Sequence, residues 1–287
     1  MIARAEVGPE ARSPVRARWR ARIALAAAMS FLVAVGVVIW GESMDAEQLE
    51  VSDPTGDEIA AFADTRMFFA HQSVGSNVLG GLAALAPELH VVDAAESVGG
   101  VEGIVVHAYV GVNGDPLSKL DDFATMIDGG AADGIDIALL KFCYVDVDAG
   151  TDVDAILEAY TSQIAAAQAR HPATTFLYAT VPLVTDRDLR ATVKSWLGRD
   201  AGMGPEDNAA RQRFNEELRD RVAATGRLFD IAAVEAAMDQ SPTTRTREGE
   251  TFYVLHEAYA ADRGHLNDLG ARAAAAELVR VVAAARP

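Results

Sequence analysis

The chain has one cysteine, Cys143, in 287 residues. No intrachain disulfide can form, and the apolar run around Cys143 predicts a buried, inert thiol. No G-x-G-x-x-G, no P-loop and no H-E-x-x-H occurs, which removes the usual signals for nucleotide binding and for a helical zinc site. His71, His107, His256 and His265 show no short-range ligand spacing, so neither a metal nor another cofactor is expected. Positive charge is scarce: 25 Lys and Arg stand against 42 Asp and Glu, for a formal charge of −17. Such a surface argues against nucleic-acid partners, which need basic patches. Internal repeats and low-complexity segments are also missing.

Long apolar runs are missing too, with one exception. Residues 23–40 carry no charge, and as a helix at about 1.5 Å per residue they span roughly 27 Å, close to a bilayer core. Six arginines (Arg4, Arg12, Arg16, Arg18, Arg20 and Arg22) precede the run, and Glu42, Asp45, Glu47 and Glu50 follow it. The positive-inside rule puts the N-terminus in the cytoplasm and the remainder outside, single-pass at the cell membrane. The alternative is a signal peptide that is cleaved to give a secreted protein. No small-residue cleavage site lies at the far end of the run, which favours the uncleaved anchor. The expected organisation is a basic N-terminus (1–22), a membrane anchor or signal segment (23–40), an acidic linker (41–58) and one domain (59–287).

Half the residues are hydrophobic, which is ample for a packed core. After residue 58, strand-like and helix-like stretches alternate. Strands are expected at 66–70, 89–92, 103–110, 135–145, 174–181 and 227–231. Helices are expected at 78–85, from Pro116 with Leu117, Leu120, Phe123 and Ile127 on one face, and at 151–170, 205–224 and 266–285. A further helix is expected around 190–197, and residues 240–250 read as a polar loop. Strands separated by helices imply a parallel sheet covered on both faces, a three-layer α/β/α sandwich.

Two stretches carry chemistry. Residues 67–77 read Met-Phe-Phe-Ala-His-Gln-Ser-Val-Gly-Ser-Asn, a buried strand that breaks at small and polar residues before a helix. A residue at such a turn sits at the carboxyl edge of the sheet, where ligands bind in open α/β folds. Ser73 is the candidate nucleophile, and the N–H groups of the helix start can hold negative charge. Near the other end, Asp262 and His265 are three residues apart. That spacing lets the carboxylate meet the imidazole Nδ1–H and leaves Nε2 to take a serine proton. The plain alternative is a helix cap at Asp262 and a surface histidine.

Residues 259–272, running Tyr-Ala-Ala-Asp-Arg-Gly-His-Leu-Asn-Asp-Leu-Gly-Ala-Arg, resemble the last signature block of the SGNH (GDSL-type) hydrolases. Ala70-His71-Gln72-Ser73 occupies the place of the first block. Val112-Asn113-Gly114-Asp115 is similar to the second block, and the helix with Arg213-Phe214-Asn215 and the strand end Phe229-Asp230 fit the same family. The resemblance implies a flavodoxin-like domain with about five parallel strands. It also implies esterase, lipase, thioesterase or deacetylase activity on a small-molecule or glycan acyl ester. The implied triad is Ser73, His265 and Asp262, with an oxyanion hole from the N–H groups of Ser73 and Gly114.

The sequence departs from the family pattern at two places. Gln72 stands where the family has Asp, and His71 where it has Gly. The third block, Phe142-Cys143-Tyr144-Val145-Asp146, lacks its asparagine. Asp146 in that role opposes an oxyanion, because a carboxylate only accepts hydrogen bonds; the alternative is an ordinary turn residue. Tyr144, Asn113 or Gln72 is then the expected third donor. The leading expectation is an extracytoplasmic serine esterase or deacylase acting through an acyl-enzyme. The alternatives are a binding or scaffolding module of the cell envelope with a weakened site, and an O-acyltransferase.

Overall fold

The computed structural model describes residues 52–94, 104–131, 133–186, 203–238, 241–247 and 249–286. The basic N-terminus, the expected membrane segment, most of the linker and the expected helix around 190–197 lie outside them. Among the described residues no helix is long and apolar enough to cross a membrane. Helix α1 (Gly56–Ala63) begins inside the stretch expected as a linker, capped by Thr55, whose hydroxyl accepts from Glu58 N–H.

Six parallel strands form one sheet: β1 (Met67–His71), β2 (His90–Asp93), β3 (Ile104–Tyr109), β4 (Ile137–Leu140), β5 (Thr175–Ala179) and β6 (Leu228–Phe229). Their spatial order is β2-β3-β1-β4-β5-β6, one strand more than the family resemblance implies. The helices between them are α2 (Ser73–Leu85), α3 (Pro116–Met126), α4 (Val153–Arg170) and α5 (Pro205–Val222), and α6 (Ile231–Ala236) and α7 (Asp268–Ala285) follow the last strand of the sheet. The three-layer α/β/α arrangement is as expected.

Side chains alternate across each strand, and β1 shows the consequence. Met67 and Phe69 join the apolar core on the side of α2 and α7, while Phe68 and Ala70 join the core on the side of α3, α4 and α5. All five residues of β1 are buried. Burying each phenylalanine contributes on the order of 1.5–3 kcal/mol. Helices α2 and α7 cross closely at Gly81, where a Cβ would lie 2.2 Å from the carbonyl oxygen of Ala271. That crossing brings the final helix beside the helix that begins at Ser73.

Four local expectations are corrected. Helix α2 starts at Ser73 rather than at 78, because its first turn is small and polar and hides the apolar period. The central strand stops at Leu140, and Tyr144–Asp146 forms a 3-10 turn stapled by the Asp146 carboxylate to Cys143 N–H at 2.6 Å. Leu117 is 51% exposed although it follows the helical apolar spacing, since Lys119 takes the buried position instead. Part of the stretch expected as a loop (240–250) joins an antiparallel hairpin of β7 (Thr244–Arg247) and β8 (Glu250–Tyr253), whose Thr-rich outer face carries no apolar alternation to announce it.

Candidate active site

Strand β1 ends at His71, and Gln72 is extended (φ −134°) before the chain turns into α2 at Ser73. Ser73 therefore sits at the carboxyl edge of the sheet and at the first turn of a helix that no side chain caps. It is half-buried, and its Oγ lies 3.9 Å from Cys143 Sγ, at the exit of β4. The thiol is 1% exposed. The expectation of a buried cysteine holds, but it touches the candidate nucleophile instead of packing anonymously.

Asp262 and His265 meet as the spacing predicts. His265 Nδ1 is 2.7 Å from Asp262 Oδ2, and Asp262 Oδ1 accepts from Gly264 N–H (2.9 Å) and His265 N–H (2.8 Å). Burial tends to raise the Asp262 pKa, but the hydrogen bonds from Gly264 and His265 outweigh it and hold the carboxyl below its usual value. An ionised Asp262 fixes the Nδ1–H tautomer of His265 and leaves Nε2 as a base. Side-chain exposures of 59% and 34% place the pair at the surface, where a substrate can reach it. The loop is well anchored: Leu266 N–H donates to Asn77 Oδ1 (3.3 Å) in α2, and Thr185 N–H donates to the Arg263 carbonyl (2.8 Å). Asn267 caps α7 through Gly270 N–H at 3.0 Å.

Asn77 lies one helical turn beyond Ser73, so this anchor ties the histidine loop to the candidate nucleophile's own helix. Tyr144 completes the connection. Its ring meets His265 edge-on, with centroids 5.8 Å apart, and it follows Cys143 directly. Ser73 Oγ and His265 are not hydrogen-bonded to each other in this arrangement; the side chain nearest to Ser73 Oγ in hydrogen-bonding terms is the Cys143 thiol.

The expected oxyanion donors divide. Gln72 spends its side-chain N–H groups on the carbonyls of Val110 (2.8 Å) and Gly111 (3.2 Å). Asn113 Oδ1 accepts from Lys119 Nζ at 2.9 Å. The Gly114 N–H, expected to face the oxyanion, donates to Asp146 Oδ1 at 2.9 Å. Tyr144 keeps its phenol, because burial above all pushes its pKa up to about 12, with the nearby Cys143 and Asp262 adding to the shift.

Asp146 is neither an oxyanion ligand nor a plain turn residue. It is a buried ion-pair partner, 2.5 Å from Lys119 Nζ, with both side chains fully buried. Sequence reading missed Lys119; its one signal is a lysine on the apolar stripe of α3, one turn before Phe123. Further buried charge supports the same loop from below. Arg211 Nε donates to the Tyr144 carbonyl at 2.7 Å. Burial holds Lys141 below its ordinary value and pushes Glu235 up toward about 8, favouring the neutral form of each.

Among the described residues, no group of three or more His, Cys, Asp or Glu is arranged to hold a metal ion. An open cleft of about 940 Å³ lies elsewhere, lined by Thr151, Pro205, Arg213, Arg247 and Phe252 among others, and none of Ser73, Asp262 or His265 borders it. Convergence of Ser73, Cys143, Tyr144 and the Asp262–His265 pair is a better guide to the chemistry than the volume of an open cleft.

No protein-family model matches the chain, and no curated protein does. The chain is similar to a solved protein assigned to the lipolytic G-D-S-L family from Desulfitobacterium hafniense, at 12% identity, with 76% of this chain and 99% of that one covered and a TM-score of 0.46. It is similar to a member of the lipolytic G-D-S-L family from Veillonella parvula, at 12% identity, 74% and 93% coverage and a TM-score of 0.41. It is also similar to the periplasmic domain of a lipopolysaccharide acetyltransferase from Salmonella ser. Paratyphi A, at 12% identity, 82% and 95% coverage and a TM-score of 0.43.

Proposed function

We propose that the chain is a serine esterase or deacylase of SGNH type that cleaves an acyl ester through an acyl-enzyme. The observation that carries this reading is the 2.7 Å contact between Asp262 and His265 Nδ1, on a loop tied to the helix that Ser73 begins. In the proposed reaction Ser73 Oγ turns from Cys143 toward His265, gives its proton to Nε2 and attacks the ester carbonyl. Catalytic hydrogen bonds are often absent before substrate binds, so the missing Ser73–His265 contact is compatible with this step. The imidazolium then protonates the departing alcohol. Water, deprotonated by the same nitrogen, releases the acid and restores Ser73.

The developing oxyanion is held by the Ser73 N–H and the Tyr144 O–H. Gly114 serves instead to anchor its loop to Asp146. The acidic surface favours neutral or cationic substrates over polyanions. The uncharged run at 23–40 supports an extracytoplasmic position, where acyl esters of the envelope or of extracellular small molecules are at hand.

Turnover of p-nitrophenyl acetate by the full chain tests the reading, with Ser73→Ala as control. Hydrolysis by the wild type that disappears in Ser73→Ala is the expected result. A folded wild type with no more activity than Ser73→Ala refutes the hydrolase and favours a binding module.

A further inference from the structure

Two histidines lie on β1 and the neighbouring β3, near the turn that leads into Ser73, one buried and one half-buried, and the proposed reaction gives neither a part. His71, the last residue of β1, is fully buried, and His107 is its register neighbour's companion on β3, where Phe69 pairs with His107 and His71 with Tyr109. His71 Nδ1 is 2.9 Å from the Gln72 carbonyl oxygen, and its Nε2 is 3.2 Å from His107 Nδ1. A carbonyl only accepts, so His71 Nδ1 carries the proton. Burial, above all, pushes the His71 pKa down to about 4, against the pull of the Gln72 carbonyl. The neutral ring has a bare Nε2, which accepts from His107 Nδ1–H.

The Gln72 carbonyl has a second donor, Gly75 N–H at 2.7 Å. Both donors act on one end of the peptide unit whose other end is the Ser73 N–H. A trans peptide is planar, so a carbonyl fixed by two donors fixes the opposite N–H as well. The same unit is held sideways by the Gln72 side chain on Val110 and Gly111. Gly75 is required for the arrangement: a Cβ there would lie 2.4 Å from His71 Cγ.

We infer that His71 and His107 form a positioning relay that aims the Ser73 N–H at the reacting carbonyl oxygen. The inference rests on the proposed acyl-transfer reading, since an aimed N–H matters only if an oxyanion forms. His71 and His107 touch no substrate. They act by holding one peptide plane, in place of the Gly and Asp that family members carry before the serine.

The test is steady-state kinetics of the full chain, together with ¹⁵N spectra of its imidazoles. A whole oxyanion donor is worth about 10²–10³ in kcat, and its misaiming costs a part of that, about tenfold. His107→Leu is expected to lower kcat by that factor with KM unchanged. His107→Asn places an amide N–H near the lost Nδ1–H and is expected to recover most of the loss. His71→Asn supplies its own amide to the Gln72 carbonyl, and in that background His107→Leu is expected to be silent. The spectra are expected to show His71 as the Nδ1–H tautomer at neutral pH. Equal kcat loss in His107→Leu and His107→Asn, or an additive loss in the double variant, overturns the relay. So does the Nε2–H tautomer at His71, whatever the activity. A wild type that turns over while His107→Leu matches it sinks the relay alone; a wild type without turnover sinks the hydrolase and the relay together.

Discussion

Replacing Asp146 with asparagine probes the least expected part of the site. The carboxylate accepts from Lys119 Nζ (2.5 Å), Cys143 N–H (2.6 Å) and Gly114 N–H (2.9 Å). At 2.5 Å and an effective dielectric of about 20, the gross attraction to Lys119 is about 7 kcal/mol. Desolvation of two fully buried ions costs several kcal/mol each, so the pair adds little net stability over a well-packed apolar pair. Removing one ion alone is different, because Lys119 stays buried with only neutral acceptors, Asn113 Oδ1 and the new amide oxygen, and no counter-charge. Asp146→Asn should therefore cost about 3–5 kcal/mol. Lys119→Met combined with Asp146→Asn should recover much of that loss. Urea unfolding followed by circular dichroism reads both. An Asp146→Asn midpoint equal to wild type refutes the buried pair, and a double variant no more stable than the single one refutes the uncompensated-charge argument.

Three further outcomes follow from the same geometry. Tyr144→Phe should lower kcat for p-nitrophenyl acetate about 10²-fold with KM little changed, if the phenol is an oxyanion donor; unchanged turnover removes Tyr144 from that role. Asp262→Asn should cost at least about 10²-fold in kcat/KM, since the amide no longer fixes the Nδ1–H tautomer or stabilises the imidazolium; a loss under threefold shows that His265 works unaided. Glu235 is fully buried with a raised pKa, so between about 4.5 and 8 the folded state holds a proton that the unfolded state releases. Stability then falls as pH rises through that window, by at most about 1.4 kcal/mol per pH unit, and Glu235→Gln should remove this slope from the wild-type curve. Parallel pH–stability curves for the two proteins contradict the assignment.

What the sequence made legible was local. Alternating strand and helix patterns yield the layers because burial on both faces leaves near-continuous apolar runs such as 67–70 and 137–140. Asp262 and His265 were legible as a candidate pair because a three-residue spacing lets the two side chains meet within one loop, although the same spacing also suits a helix cap and a surface histidine. The remainder depends on contacts between distant residues. Asp146 and Lys119 are 27 residues apart, and Ser73 and Cys143 are 70 apart. No spacing rule connects either pair. Resemblance to a family pattern assigned Gly114 N–H to the oxyanion, whereas in the fold the Asp146 carboxylate, 32 residues away, accepts from it. The hairpin at 244–253 was hidden for another reason: Phe252 is its one buried side chain among the described residues, so burial imposes little pattern on the rest of the ribbon.

The central claim is that Ser73 is a nucleophile activated by His265. The most direct measurement is reaction of the full chain with a fluorophosphonate, followed by mass mapping of the adduct. The account predicts a single phosphonylated residue, Ser73, with labelling lost in Ser73→Ala and slowed at least about 10²-fold in His265→Ala. A folded wild type left unlabelled, or one labelled at the same rate without His265, contradicts it.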